Sequence, residues 1–474
     1  MNIVILASGN GTRFKMAGYD TPKMLLPVTN EKVVLDYIIE NFDESDNYII
    51  IVNPNNKSMI EEYLSRLKPK ICYHIICYEG EKYGPAYVLY KSLTQIEKLI
   101  DDSGIMVSYC DFGFSFDYDK FKYLLKSSPN AVMLYYQGIY SHLRNPNNVY
   151  AAVRNKILEK YHSDDRYNEK WSPGLYYFKN LNIISNALEI QLQDNDDKIN
   201  NEWYVSTTFN YLEEYEIFKI DNFYQFGTPL DYEFAKSKLN MVYDNNYNGK
   251  TIILASGKGE RFFKSNYKIP KPFLPIGKST LIQIIINSLN KSNIICSASV
   301  NHKNYWDSMN MIPRYVENNS LGAAYSFKCI SDNEDDNVLV VPCDLIAKYN
   351  ITHSIIVFAV EASEYQKNNP DSFSWVTLNE SGFLNEIGIK KYLSNGFVLI
   401  GSFYINERLL NKYIDKLLSN KDNKVNNEYY LDSVFKLLKN DGFDIKIEIV
   451  NDYLSFGTPD EYEENKKWIN NIFL

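Results

Sequence analysis

The sequence predicts two tandem α/β domains, each on a mixed but mainly parallel sheet covered on both faces. Three observations support this. Apolar, β-branched runs stop abruptly at turn residues; strand-length and helix-length patterns alternate; and one ordered set of strings occurs twice within 474 residues. Length alone leads one to expect at least two domains, and each half is long enough to bury a full core.

In chain order, residues 2–7 and 250–255 are apolar runs ending at Ser-Gly, as buried parallel strands do. A glycine-rich turn follows each, in the strings Ile5-Leu-Ala-Ser-Gly-Asn-Gly-Thr-Arg-Phe14 and Ile253-Leu-Ala-Ser-Gly-Lys-Gly-Glu-Arg-Phe262. Next come Pro22-Lys-Met-Leu-Leu-Pro27 and Pro270-Lys-Pro-Phe-Leu-Pro275; Gly9 to Lys23 and Gly257 to Lys271 are both 14 residues. Helical patterns are expected over 33–42 and 280–289, then short strands over 48–52 and 294–300. Buried strands over 105–109 and 338–341 each lead into Cys-Asp. Near the end of each half stand Phe226-Gly-Thr-Pro229 and Phe456-Gly-Thr-Pro459, each followed by an acidic-Tyr-Glu run. The polar stretch 243–249, rich in Asn and ending in Gly, reads as a linker, giving domains over 1–243 and 250–474 joined by 244–249. A repeat of about 230 residues is far too long for a solenoid unit and reads as a duplicated domain.

Charged residues at 23% and hydrophobic ones at 45% describe an ordinary globular composition. A net charge of −9 argues against a nucleic-acid scaffold, whose affinity comes largely from a basic surface. No apolar run approaches the roughly 18 residues of a membrane span. The apolar run at the N-terminus stops at Ala7 with no basic region before it, so no signal peptide is expected. Cys72, Cys77, Cys110, Cys296, Cys329 and Cys343 show no zinc-ligand spacing and read as reduced thiols of a cytoplasmic protein.

The glycine-rich turn leaves a strand at its carboxyl end, where open α/β sheets bind ligands. Gly9 and Gly11 let the backbone approach closely and present N–H groups to an anion, and Arg13 adds a fixed fork for phosphate oxygens. The dinucleotide fingerprint would need a third glycine where Phe14 stands. The tripeptide Gly277-Lys278-Ser279 ends like a P-loop, but Pro272 takes the place of its first glycine. A lone turn of this kind is usually only a turn; two copies with the same downstream Pro-Lys favour phosphate binding. Lys23 and Lys271 are compact charges suited to it, although either alone would read as a solvated surface lysine.

Together, GxGxRF and PKxLLP resemble the nucleotidyltransferases that activate sugar phosphates and related phosphates. Within that family the chain looks most like a capsule and surface-polysaccharide branch, through Phe14…Gly18-Tyr19…Pro22-Lys23 and the late Gly-Thr-Pro. The resemblance covers both halves nearly end to end and implies two tandem Rossmann-like nucleotidyltransferase domains. It places the NTP phosphates on Ala7, Gly9, Gly11 and Arg13, and on Ala255, Gly257, Gly259 and Arg261. A Gly-x-Ala segment under the base maps to Gly84 and Ala86, and to Gly322 and Ala324. The strand-end Asp111 and Asp344 become ligands of a catalytic Mg2+. A Glu-Lys pair before a Gly-x-Tyr strand would contact the acceptor phosphate. Glu159-Lys160 before Gly174 fits it, whereas the second half offers the looser Lys390-Lys391 before Gly401, with Lys391 taken as the acceptor lysine. Glu202 and Glu428, in Asn-Glu-aromatic-Tyr strings, fall beside the acceptor pocket.

One departure stands out. Many sugar-phosphate members carry a second metal-binding aspartate two residues before the Gly of Gly-Thr; here Gln225 and Ser455 occupy those positions. Either Glu202 and Glu428 supply that contact, or one ion bridged by the NTP suffices. Without the family, Asp111 and Asp344 could equally be helix N-caps; the shared Cys-Asp after an apolar strand favours metal.

The chemistry explains the residue types. Two anionic reactants need positioning and charge neutralisation rather than a general base, so the five histidines carry little weight. Glu79 and Glu317, five residues before the Gly84 and Gly322 positions, can only accept hydrogen bonds. That favours CTP, then GTP, although a loop glutamate is as good a reading. The aromatic pairs Trp203-Tyr204 and Tyr429-Tyr430 could stack on a sugar or cage a choline, or simply pack.

The expectation is a cytoplasmic enzyme joining an NTP to a phosphorylated sugar, alditol or similar small acceptor, releasing pyrophosphate, for surface glycan synthesis. It needs no nucleic acid or membrane, and its oligomeric state stays open. The alternatives are one catalytic half beside a nucleotide-binding or scaffolding half, and a non-catalytic sensor. A glycosyltransferase would usually carry Asp-x-Asp, which Asp111-Phe-Gly and Asp344-Leu-Ile lack.

Overall fold

The computed structural model describes all residues except 68–69, 145–148, 242–246, 290–292, 310, 318–320 and 470–474. The chain divides into two compact units, Met1–Asn240 and Met241–Leu474. Of the expected linker 244–249, residues 244–246 lie outside the described residues. Tyr247 belongs to the second unit, where its hydroxyl donates to the carbonyls of Lys250 and Asn337 at 3.1 Å each.

The first unit is built on a seven-stranded sheet. Its order is Glu216–Lys219, Ala131–Tyr135, Leu175–Phe178, Ile105–Tyr109, Asn2–Ala7, Asn47–Val52 and Cys72–Cys77. All neighbours run parallel except Leu175–Phe178, which is antiparallel to both strands beside it. The apolar run 2–7 becomes a central strand for a simple reason. Ile3 and Ile5 pack into one core layer and Val4 and Leu6 into the other, so no position faces water. Fully burying each such aliphatic side chain contributes about 1.5–3 kcal/mol.

The second unit repeats this order with Lys446–Ile449, Ile356–Val360, Phe397–Asn406, Asn337–Pro342, Lys250–Ala255, Ile294–Ser299 and Arg314–Val316. Again one strand, Phe397–Asn406, is antiparallel to its neighbours Asn337–Pro342 and Ile356–Val360. A hairpin of Trp375–Leu378 and Leu384–Gly388 is added beside it. The mixed, mainly parallel α/β class expected from the sequence is therefore the class observed.

The helix expected over 280–289 is Leu281–Ser288, opened by a capping box between Thr280 and Gln283. The one expected over 33–42 shrinks to Asp36–Ile39. Val33 is held by a bridge to Pro27, and its N–H goes to the Asp36 carboxylate at 2.8 Å, so the first turn never forms.

Candidate functional site

In each unit the first strand delivers the glycine-rich turn at its carboxyl end, and a short helix, Thr12–Met16 or Glu260–Lys264, follows. Gly11 and Gly259 are left-handed, both with φ 65°, a conformation costly for other residues. Gly9 is glycine for another reason. A Cβ there would meet nothing within 4 Å and would project into open space.

Gly9 lines a cavity of about 550 Å³, together with Ala7, Gly11, Lys23, Gly84, Asp111 and Glu202 among others. The strings scattered through the first half are thus gathered at one sheet edge. Arg13 is exposed and does not line the cavity, but its charge is felt at Tyr204. Ala86 and Ala324 are fully buried, so they belong to the core and not to a ligand surface. Gly84 and Gly322 are forced by packing. Their φ values are 98° and 111°, and an added Cβ would lie 2.4 Å from the Trp203 carbonyl or 2.7 Å from that of Tyr429. These glycines seat a helix start on the Asn-Glu-aromatic-Tyr segment. Ala86 N–H donates to Trp203 O and Ala324 N–H to Tyr429 O, both at 3.1 Å.

The Pro-Lys lysine meets the strand-end aspartate in both units. Lys23 Nζ lies 3.0 Å from Asp111 Oδ2 and Lys271 Nζ 2.5 Å from Asp344 Oδ2. Burial works against the Lys271 charge, but Asp344 outweighs it and the ammonium is held above its usual range. The Gly-Thr-Pro string is tied to the same aspartates: Phe226 N–H donates to Asp111 O at 3.1 Å and Phe456 N–H to Asp344 O at 2.7 Å. Its Thr-Pro is a helix start, with Thr228 accepting from Asp231 N–H and Pro229 in the first turn. The following Tyr pins that helix to the Pro-Lys string, Tyr232 donating to Pro27 O at 2.6 Å and Tyr462 to Pro275 O at 2.5 Å. Both tyrosines also pack edge-on against the loop phenylalanines, Phe14 and Phe262.

Oxygen atoms gather beside Asp344 but not beside Asp111, and in each unit a lysine ammonium sits on the aspartate Oδ2. A Cβ placed on Gly227 would lie 3.4 Å from the Gln225 amide nitrogen Nε2, a hydrogen-bond donor and not a metal ligand, and 3.5 Å from Asp111 Oδ2. The matching point beside Gly457 lies 3.2 Å from Glu461 Oε2, 3.5 Å from Asp344 Oδ2 and 3.6 Å from Ser455 Oγ. Oxygen donors with one or two carboxylates suit magnesium, which completes its shell with water and substrate phosphates. No group of three or more His, Cys, Asp or Glu side chains suited to a metal is present among the described residues. Glu461 was not anticipated from sequence. Burial pushes its carboxyl up, the bond from Ser455 opposes this, and the Asp344 charge adds to the rise. The first unit has the shorter Asp231 at the matching position, engaged by the Thr228 hydroxyl at 2.7 Å.

On the acceptor side, Lys160 lies over the Tyr204 ring at 4.9 Å. Its counterpart is Lys390, over Tyr430 at 5.1 Å, and not Lys391, which points to solvent. Lys160 and Lys390 have φ 49° and 50°, the only charged residues among the described non-glycine residues with positive φ, most of which are asparagine. That conformation costs roughly 1–2 kcal/mol and is kept where the surroundings impose it. The doubled lysine allowed a one-residue slip in the sequence; the buried Ile157 and Ile387, each three residues earlier, fix the register.

Glu202 is held by the Tyr204 hydroxyl at 2.6 Å, and Glu428 similarly meets Tyr430. Trp203 stacks on Tyr87 and both Trp203 and Tyr429 are buried, so these two rings are packing residues. Gly174 (φ 89°) sits under the Tyr109 ring, outside the cavity lining, and Gly401 (φ 74°) lies beside Pro342. Glu79 and Glu317 are exposed, and Glu79 is not part of the lining. Lys82, also unanticipated, does line it, donating to Ser8 O and Asn10 Oδ1 at 2.7 Å each; burial first, then Lys15, lowers its pKa.

Comparison with known proteins adds to this geometry. The family described as the MobA-like NTP transferase domain matches residues 3–166 and 251–366. The bifunctional protein GlmU of Acholeplasma laidlawii is 25% identical over 237 residues, covering 45% of this chain and 50% of that protein. The protein of the same name from Methanocaldococcus jannaschii is 27% identical over 177 residues, 33% of this chain and 43% of its own length. The chain thus spans about half the length of the relatives it matches. A nucleoside-diphosphate-sugar pyrophosphorylase from Vibrio cholerae aligns at 19% identity and a TM-score of 0.41, covering 50% of this chain and 99% of that one. An inositol-1-phosphate CTP transferase from T. maritima aligns at 19% identity and a TM-score of 0.35, covering 47% of this chain and 98% of that one.

Proposed function

The chain belongs to the MobA-like NTP transferase domain family, and on that premise we propose that it transfers a nucleotidyl group from an NTP to a small phosphorylated acceptor. One observation carries this reading. In both units a lysine–aspartate pair, 3.0 and 2.5 Å long, stands at the end of a buried strand with a glycine-rich turn at the same sheet edge.

A phosphate oxygen of the acceptor attacks the α-phosphorus in line, the bond to the β-phosphate oxygen breaks, and pyrophosphate leaves. The loop amides around Gly9 and Gly11 receive the leaving charge, Arg13 adds positive charge from outside the cavity lining, and Lys23 and Lys160 lower the repulsion between the reactants. Gly257, Gly259, Arg261, Lys271 and Lys390 take those roles in the second unit. A magnesium ion held by Asp111 or Asp344 would neutralise phosphate charge when bound. A dianionic acceptor is already nucleophilic, so no side chain need remove a proton.

CTP first and GTP second is the proposed donor order, on the acceptor-only chemistry of Glu79 and Glu317, which stand exposed before Gly84 and Gly322 and, for Glu79, outside the cavity lining. Phosphorylated sugars, alditols or choline are the proposed acceptors, serving surface glycan synthesis in the cytoplasm. The two halves are proposed as a duplication with domains over 1–243 and 250–474. A screen of pyrophosphate release, four NTPs against such acceptors at saturating Mg2+, tests the reading; no release with any pair would refute it. A second reading, one catalytic half and one that only binds nucleotide, draws on the different residues beside Lys160 and Lys390. Total loss from Asp111→Ala or Asp344→Ala alone would favour it.

A further inference from the structure

Three loops at the carboxyl edge of the first unit's sheet meet on one side chain. Asn10, in the glycine-rich turn after Asn2–Ala7, accepts at Oδ1 from Lys82 Nζ at 2.7 Å and from Asn53 Nδ2 at 3.1 Å. Asn53 follows the strand Asn47–Val52, and Lys82 stands between the strand Cys72–Cys77 and the helix Pro85–Glu97. Lys82 Nζ also donates to Ser8 O at 2.7 Å. An ammonium has three donors, and the turn takes two of them. Ser8 O and the Gly9 N–H belong to one rigid peptide, so the bond to Ser8 O also fixes the direction of that N–H. The second unit replaces all three partners together. Lys258 stands where Asn10 does, Ser299 where Asn53 does, and Ser320, outside the described residues, where Lys82 does, two residues before the packing glycine. Asn53 and Ser299 match because each side chain accepts from the backbone N–H two residues on. One lysine is kept across these three positions, on a different loop in each unit.

We infer that Lys82 is a further phosphate-binding residue of the first unit: it holds the glycine-rich turn through Ser8 and Asn10 and gives its third donor to the NTP phosphates. This rests on the reading that the turn receives those phosphates. Lys82 lines the same cavity as Gly9, Gly11, Lys23 and Asp111. An uncovered carbonyl oxygen in such a turn repels phosphate, whereas its N–H groups attract it. Lys82 covers the Ser8 carbonyl and adds a full positive charge beside it. A compact ammonium suits that place, because it can hold two acceptors of the turn and still reach a third oxygen. Lys258 puts the charge on the second unit's turn itself. With no acceptor at that position, neither a lysine nor an asparagine donor is needed on the other two loops, and both are serine.

The test maps trace acetylation of lysines in the full-length chain by peptide mass spectrometry, with and without magnesium tripolyphosphate, a probe that has no base. In the wild type the probe is expected to protect Lys82 and Lys15, which also lines the cavity, and to leave exposed Lys91 alone. Lys82→Met is expected to raise the concentration that half-protects Lys15 by about tenfold, with Lys258 in the second unit unchanged as the control. Asn10→Lys/Lys82→Ser, which copies the second unit, is expected to restore it, and a merely structural role for Lys82 would not allow that. An unchanged value in Lys82→Met, or no restoration, would overturn the inference. Asn10→Ala, read without the probe, is expected to speed acetylation of Lys82, which keeps the test available if Lys82→Met does not fold. An unchanged rate there would overturn the hold on the turn. No protection of Lys15 or Lys82 in the wild type, with the Asn10→Ala effect intact, would sink the phosphate reading of the turn and not the contact Lys82 makes with it.

Discussion

Gly84→Ala separates a residue needed for packing from one needed for a ligand. The added methyl would stand 2.4 Å from the Trp203 carbonyl oxygen and 2.6 Å from its nitrogen, both backbone atoms that cannot swing aside. A side chain at φ 98° costs about 1–2 kcal/mol. Relieving the overlap adds about 1–3 kcal/mol, and it also loosens the Trp203 N–H bond to Tyr83 O, 2.8 Å long. A loss of roughly 2–5 kcal/mol in the first unit is expected. Gly9→Ala is the control: its methyl meets nothing within 4 Å, so stability should stay within about 0.5 kcal/mol. Gly9 does, however, line the cavity proposed for phosphates, so pyrophosphate release should fall at least about tenfold, or 1.4 kcal/mol. Urea unfolding followed by tryptophan fluorescence, with release measured alongside, reads both. A stable Gly84→Ala, or an active Gly9→Ala, would refute the division of roles.

Three further predictions start from the second unit, the last of them with a first-unit control. Lys250, buried, bonds Glu407, Asp332 and Glu334 at 2.8–3.0 Å. Lys250→Met should cost roughly 3–5 kcal/mol by stranding the fully buried Glu407, and Lys250→Met/Glu407→Leu should recover much of it in urea melts. Asp332, depressed to about 2 by Arg314 first and then Lys250, contributes stability above its unfolded value of about 3.9. That contribution is lost as pH falls from about 4 to 2, so thermal melts should show a steeper acid loss in the wild type than in Asp332→Asn. Glu461→Gln should raise the Mg2+ concentration for half-maximal release by several-fold in an Asp111→Ala background, while Asp231→Asn in an Asp344→Ala background should change it little.

The parts of the site most legible in the sequence were those fixed by short spacing. Gly9, Gly11, Lys23 and Asp111 were expected together because a buried strand can end only at the sheet edge, and that is where the cavity lies. What was illegible depends on backbone torsion or on contacts distant in sequence. Lys390 was taken as Lys391 because two adjacent lysines look alike until the left-handed residue is known. Ala86 read as a base contact, yet it follows a glycine whose purpose is to let two backbones touch. Glu461 escaped notice because its carboxylate reaches Asp344 from a helix more than a hundred residues further on. Over 33–42 the periodicity was helical, but the bridge from Val33 to Pro27 competes with the first turn and wins.

The most direct test of two phosphate-handling sites is pyrophosphate release by the wild type, Asp111→Ala, Asp344→Ala and the double variant, with the best NTP–acceptor pair for each unit. The account predicts that each single variant loses one activity and keeps the other, and that the double variant loses both. Full activity in the double variant would contradict it.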